Sequence, residues 1–276
     1  MRQLPLHPGA RGLDDDCAVI EFGGETLVIT HDAMAEGTHF RPDADMADVA
    51  WKLVASNLSD LAAKGARPEG VLLGHCLCSD DRGFLRGLSQ ALDAFDTPLL
   101  GGDTIKANGA RVFGLTAIGK ASATPAPSRS GAQIGDTVFV TGTLGRAMLG
   151  FEGDEEHVEA FNRPTPRLAE GQMLAAHVSA MMDISDGLLL DTFRLAQASG
   201  ITVAIESALV PVANEARRED AMRWGDDYEL LFAMPAGSQP PACATPIGKI
   251  EPRGFAPLII DGEPVVNASG LGFEHR

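Results

Sequence analysis

Two spacings of apolar residues alternate along the chain. Short apolar or alternating runs predict strands, and runs with apolar residues three or four apart predict helices. Residues 17–20 and 25–30 read as strands joined at Gly23-Gly24, a hairpin signal. After His31-Asp32 and a polar loop, Asp45 starts a helix with apolar positions Val49, Leu53, Val54, Leu58, Leu61 and Ala62. Gly65 ends it and Pro68 blocks its continuation. Residues 71–78 form a strand, and Asp80 or Asp81 caps a helix through Phe84, Leu88, Leu92 and Phe95. Leu99-Leu100 is expected to be a short strand broken at Gly101-Gly102-Asp103-Thr104, with a further strand over 111–120.

Residues 121–132 are the most linker-like stretch and divide the chain into an N-terminal domain, 1–121, and a C-terminal domain, 133–276. The second half opens with a strand at 137–140 and the loop Thr141-Gly142-Thr143-Leu144-Gly145. Thr165-Pro166 reads as a helix start, threonine as cap and proline in the first turn. An apolar run then ends in Met181-Met182-Asp183-Ile184-Ser185-Asp186-Gly187, and the helix behind it stops at Gly200. Strands at 201–205 and 228–234, a helix at 212–222 and a hairpin turning at Asp261-Gly262 complete the pattern. Strands and helices alternate in both halves, so the class is mixed α/β.

The 276 residues suffice for one large or two ordinary domains. Lys and Arg number 22 against 38 Asp and Glu, a net charge of −16, which argues against nucleic acid or an anionic membrane as partner. No apolar run approaches the ~20 residues of a membrane span. Residues 1–10 lack the apolar core of a secretory signal, so a cytoplasmic protein is expected. Cys76 and Cys78 lack zinc-site spacing, so Cys17, Cys76, Cys78 and Cys243 read as buried free thiols in a reducing compartment.

Charge becomes chemistry in the distribution of aspartates. Asp14-Asp15-Asp16, Asp32, Asp60, Asp103, Asp183, Asp186 and Asp226-Asp227 mostly sit where an apolar element meets a turn. Each alone reads as a cap or turn former; Ser185 or Asp186, for instance, suits a helix cap as well as a site at a strand end. If they converge, two carboxylates ~4 Å apart repel by roughly 4 kcal/mol at an effective dielectric of 20, and cations must sit between them. Hard oxygen ligands point to Mg²⁺ or Mn²⁺, often shared with substrate phosphates, and hence to a nucleoside triphosphate. A Ca²⁺-binding module would gather its ligands in one loop, whereas these are scattered. The loops at Gly101-Gly102 and Gly142–Gly145 suit either anion binding or ordinary turns. Neither continues as a Walker A loop.

In chain order, Asp15-Asp16-Cys17-Ala18-Val19, Thr30-His31-Asp32, Glu36-Gly37-Thr38-His39-Phe40, Asn57-Leu58-Ser59-Asp60-Leu61-Ala62-Ala63, Gly101-Gly102-Asp103-Thr104, Arg129-Ser130-Gly131, Asp183-Ile184-Ser185-Asp186-Gly187-Leu188 and Gly225-Asp226-Asp227-Tyr228-Glu229-Leu230 resemble the thiamine-monophosphate kinase family of the aminoimidazole-ribonucleotide synthetase-like superfamily. The resemblance covers nearly the whole chain. It implies two α/β domains, the first binding ATP and Mg²⁺ and making a homodimer. It implies Mg²⁺-dependent transfer of the ATP γ-phosphoryl group to thiamine monophosphate. It assigns several Mg²⁺ ions to Asp15, Asp32, Asp60, Asp103, Asp183 and Asp186, assisted by Thr30 and His31, with Asp32, Asp103, Asp183 and Asp186 as the catalytic set. ATP would meet Gly102, Asp103, Arg129 and Ser185; thiamine phosphate would meet His39, Asp226 and Phe273. His31 stands where the family usually has a small hydroxyl residue, and Asp226 where it has Glu. A sibling reaction on another acceptor, or nucleotide binding without turnover, are the alternatives.

Overall fold

The computed structural model describes residues 3–274. Its first half builds a five-stranded sheet from β1 (Ala18–Phe22), β2 (Glu25–Ala35), β3 (Ala66–Cys76), β4 (Leu99–Ile105) and β5 (Val112–Ala121), in the order β1-β2-β5-β3-β4. Helices α1 (Met46–Ala63) and α2 (Asp81–Ala94) cover one face. Asp45 caps α1 as expected, accepting the Ala47 N–H at 2.8 Å, and Asp80 caps α2 through Gly83 N–H at 2.9 Å. Even-numbered residues of β2 from Thr26 to Met34 face the helices, so Thr30 and Asp32 share the inner face and His31 lies on the outer one. β4 does not break at its glycines. It runs on as a parallel edge strand beside β3, and a Cβ on Gly102 would lie 2.0 Å from the Leu73 carbonyl oxygen. The glycine allows close strand pairing rather than a turn.

The second half forms a seven-stranded sheet, ordered β12-β11-β8-β10-β6-β9-β7. Its strands are β6 (Thr137–Thr141), β7 (Ala180–Ile184), β8 (Thr202–Ile205), β9 (Glu229–Met234), β10 (Ala244–Glu251), β11 (Leu258–Ile260) and β12 (Glu263–Val265). Helices α3 (Arg146–Glu152), α4 (Val158–Asn162), α5 (Leu168–Leu174), α6 (Leu188–Ser199) and α7 (Arg218–Arg223) accompany it. The hairpin turns where predicted, with Asp261 and Gly262 both at positive φ. Three expectations fail. Thr165-Pro166 does not start a helix; α5 begins at Leu168, because the Arg167 side chain is drawn into a fork on buried Glu229. The helix expected over 212–222 shrinks to α7, after an Asn214-capped 3-10 turn. Cys17 and Cys76 are buried free thiols, but Cys243 is exposed and Cys78 half-buried. β10 and the short α3 and α4 carry too little periodic signal to be read from sequence.

Every residue of β7 and β9 is buried. The reason is that both faces of that part of the sheet are covered. Met182, Leu231 and Ile184 pack with Leu189 and Phe193 of α6, while Met181, Leu230 and Phe232 pack with Ala62, Ala63 and Leu174 of α1 and α5. Helix α1 is therefore buried nearly all round, its polar Lys52, Ser56, Asn57 and Ser59 included. It is shared by the two halves and carries polar groups to the seam.

The α1–α5 crossing depends on small residues. A Cβ on Gly171 would lie 2.1 Å from the Ala62 carbonyl oxygen. We expect Gly171→Ala to destabilise the fold by about 1–3 kcal/mol, the scale of overpacking a tight interior. Thermal unfolding checks this, and an unchanged melting temperature would show that the two helices separate freely.

Candidate active site

Asp183 is the last residue but one of β7 and is 2% exposed; it accepts the Ser59 hydroxyl from α1 at 2.7 Å. Asp60, one residue on, faces the same seam and accepts the hydroxyl of Thr30 from β2. Asp16, entering β1, completes the group. One carboxylate oxygen from each of Asp16, Asp60 and Asp183 lies within 4.8 Å of the other two. Burial pushes the Asp60 and Asp183 carboxyls well above the usual range, and their neighbouring carboxylates push in the same direction.

Positive charge is built in beside them. Lys64, fully buried at the end of α1, sets its ammonium 2.5 Å from Asp15 Oδ1 and 2.7 Å from Asp16 Oδ2. Burial alone would lower its pKa; the charges of Asp16 and Asp15 outweigh that and raise it. Arg129 pairs with Asp16 Oδ1. Asp15 is further held by Arg11 at 2.6 Å and by the Ser128 hydroxyl at 2.8 Å. Burial works against its ionised form, but Lys64 and Arg11 keep its carboxyl well below the usual range.

The predicted residues fall into three groups. Asp60 and Asp183 converge, with Thr30 attached. Asp32 and Asp186 lie next to them, at the wall of a cavity of about 690 Å³. Asp32 is placed by its own N–H, which donates to Asn57 Oδ1 at 2.9 Å. Asp15 sits beside the trio with its oxygens already engaged, and Asp16, absent from the expected set, takes the position anticipated for it. His31 and Asp103 do not join. The His31 ring lies on the outer face of the sheet, 2.9 Å from the Thr116 hydroxyl. Asp103 is exposed on the edge strand, where register puts it in line with Gly74, Gly114 and Ala33 on that same outer face. Two strands separate β4 from β2, a distance of about 14 Å at the usual strand spacing. Within one chain, Gly102 and Asp103 therefore do not share the cleft. An alternation count through His31 signals its outward position; nothing local distinguishes Asp15 from Asp16.

The turn after β7 does not cap the next helix through a side chain. Gly187 stands at the N-cap of α6 with no side-chain cap bond. The Asp186 carboxylate is held instead by Arg194 at 2.5 Å, and the Asp186 N–H donates to buried Asp191. Burial pushes the Asp191 carboxyl up to about 7 against the opposing charge of Arg194. The turn is fastened from outside by Asp226 N–H to Ser185 O and Phe273 N–H to Asp186 O, both 2.9 Å. A Cβ on Gly187, at φ +116°, would meet the Arg223 carbonyl oxygen at 2.6 Å. Ser185, Asp186, His39, Asp226 and Phe273 all line the cavity, together with Phe40, Phe151, Phe161 and Trp224.

Asp226 and Asp227 have separate tasks. Asp227 accepts the Gly145 N–H at 3.0 Å ahead of α3, and Glu229 accepts the Thr141 hydroxyl at 2.7 Å. The glycine loop at 142–145 is thus occupied by the protein's own carboxylates. Asp226, at φ +66°, turns into the cavity, where Lys52 holds it at 2.6 Å and the Tyr228 hydroxyl donates to it at 3.0 Å. The Lys52 ammonium also stands 3.8 Å from the centroid of the Phe161 ring.

Residues 14–121 match the family described as AIR synthase related protein, N-terminal domain, and residues 133–248 its C-terminal domain. The chain is 37% identical over 249 residues to the thiamine-monophosphate kinase of Salmonella typhimurium, covering 81% of this chain and 76% of that protein. It is 32% identical to that of Aquifex aeolicus, over 92% and 90% of the two chains. A solved structure described as AaThiL complexed with AMPPCP and TMP superposes with a TM-score of 0.85 at 30% identity, over 91% and 89% of the two chains.

Groups that repel in the fold destabilise it. In excess chelator, Asp183→Asn should raise the melting temperature by a few degrees, since ~1 kcal/mol is worth about 2–4 °C at this size. Asp93→Asn, exposed on α2, should leave it unchanged. A fall for Asp183→Asn, measured by calorimetry, would mean that the carboxylate stabilises the fold rather than straining it.

Proposed function

The chain belongs to the thiamine-monophosphate kinase family of AIR synthase related proteins, and from that premise we propose that its cleft brings ATP and thiamine monophosphate together. The protein transfers the γ-phosphoryl group of ATP to the phosphate of thiamine monophosphate, giving thiamine diphosphate and ADP. The observation that carries this reading is the junction of the Asp16/Asp60/Asp183 centre with an aromatic cavity through Asp32 and Asp186.

A phosphate monoester has a second pKa near ~6 and is largely dianionic at neutral pH, so its oxygen attacks without a general base. What the chain must supply is alignment and charge control. Phe40, Phe151, Phe161, Trp224 and Phe273 line the wall assigned to the cationic thiazolium, and His39 lies at the same wall. Asp226 places its carboxyl group at that wall, its position set by Lys52 and Tyr228. Ser185 and Asp186 stand between acceptor and acidic centre. Arg129, paired with Asp16, is the cation assigned to the ATP phosphates in this reading.

The donor set fits divalent cations: three carboxylates with oxygens mutually within reach, two of them destabilised as buried charges. Asp16, Asp60 and Asp183 would hold Mg²⁺, with Asp32, Asp186 and Asp15 at the margin. Bound there, Mg²⁺ supplies neutralisation of the phosphoryl oxygens. Gly102 and Asp103 reach a nucleotide only across a junction between two copies. The outer face of the first sheet exposes Leu72 and Val112 and suits such a homodimer. No helix among the described residues is long and apolar enough to cross a membrane.

Mass spectrometry of a reaction with ATP, Mg²⁺ and thiamine monophosphate should detect thiamine diphosphate. Asp183→Asn should lower kcat by about 10²–10³-fold, the scale of one lost charge-stabilising group. Asp226→Asn should raise KM for thiamine monophosphate far more than KM for ATP. ATP turnover with another acceptor and no thiamine diphosphate would replace this reading with a sibling reaction.

A further inference from the structure

Lys64 is the least expected residue of the acidic centre. It closes the last turn of α1, and its side chain is wholly enclosed. An ammonium has three N–H donors. Here one donates to the Met181 carbonyl oxygen at 3.0 Å, and the ammonium is ion-paired with Asp15 Oδ1 at 2.5 Å and Asp16 Oδ2 at 2.7 Å. These acceptors belong to the segment before β1 and to β7, so one side chain ties three separate parts of the fold. Its position is fixed from behind. Gly65 follows at φ +58°, and a Cβ there would lie 2.3 Å from the Ala175 Cβ.

We propose that Lys64 is a resident counter-cation of the acidic centre, standing between Asp15 and Asp16 where those carboxylates would otherwise share a divalent ion. The inference rests on the reading of Asp16, Asp60 and Asp183 as a divalent-cation site. Asp16 then belongs to both halves of the centre: one oxygen faces the ammonium, and Arg129 steadies the other. The fixed charge has two consequences. The carboxylates assemble during folding without metal, because each buried charge on the Asp15/Asp16 side already has a partner. The Asp15/Asp16 side also takes up one divalent ion fewer than the same carboxylates would without the lysine. Only the Asp60/Asp183 side, where no ammonium or guanidinium is bonded to either carboxylate in the described residues, is left to a divalent ion.

The test compares the wild-type protein with Lys64→Met, similar in length but uncharged, and Lys64→Arg, which keeps the charge. Mn²⁺ bound per chain is counted by equilibrium dialysis with a non-hydrolysable ATP analogue. Melting temperatures are taken in EDTA and in Mg²⁺. Lys64→Met should bind one more Mn²⁺ per chain, and its gap between the two melting temperatures should widen at least about twofold. Lys64→Arg should keep the wild-type count. A Lys64→Met protein that folds only with Mn²⁺ supports the proposal. One that stays unfolded with Mn²⁺ while Lys64→Arg folds overturns it, because a divalent ion then does not replace the ammonium. Equal counts in wild type and Lys64→Met, or a wild type that unfolds on chelation, also overturn it. A wild type that binds no Mn²⁺ removes the metal reading itself, a result distinct from equal, non-zero counts.

Discussion

Carboxylates gathered in a protein interior need positive charge within reach, and this constraint organises the molecule. Asp16, Asp60 and Asp183 come from the approach to β1, from α1 and from β7, so the centre exists only when both halves of the chain are in place. The cations that offset it are equally dispersed: Arg11 before β1, Lys64 at the end of α1, Arg129 between the sheets. Separating the halves would strand buried charge on each side. The apolar seam of Ala62, Ala63, Leu174, Met181 and Phe232 supplies burial, and the charge centre supplies its register.

Helix α1 carries this arrangement into function. It is packed on nearly every side, so its polar residues point at specific partners rather than at water. Lys52 meets Asp226, Asn57 meets the Asp32 backbone, Ser59 meets Asp183 and Lys64 meets Asp15 and Asp16. A single rigid element thus sets the cavity wall at Asp226 and the acidic centre at a fixed separation, as the proposed transfer between two polyanionic substrates requires.

The carboxylates divide by what faces them. Asp227 and Glu229 are consumed by the loop at 142–145 and by Arg167, and they hold the architecture. Asp226, one residue away, turns into the cavity because its backbone adopts positive φ. Adjacent residues of the same type therefore serve scaffold and site. Asp15 and Asp16 are both paired with cations, but only Asp16 also brings an oxygen within reach of Asp60 and Asp183.

The sequence by itself determined the mixed α/β class, the cap at Asp45, a cap at Asp80 or Asp81, the hairpin at Asp261-Gly262 and the candidacy of Asp60 and Asp183, which the fold brings together. Those features rest on local periodicity, turn chemistry and an ordered set of motifs. Tertiary structure decided the rest. Period-two alternation acquires a meaning only when the helices cover one face, which puts His31 outside and Asp32 inside. The break expected at Gly101-Gly102 became an edge strand because β3 offered it a partner. The choice of Asp16 over Asp15, and the presence of a lysine among aspartates, depend on cations brought from 11, 64 and 129, positions that no local pattern connects. Charge pairing at such sequence distance is a property of the folded chain, since each partner's burial exists only after the other has arrived.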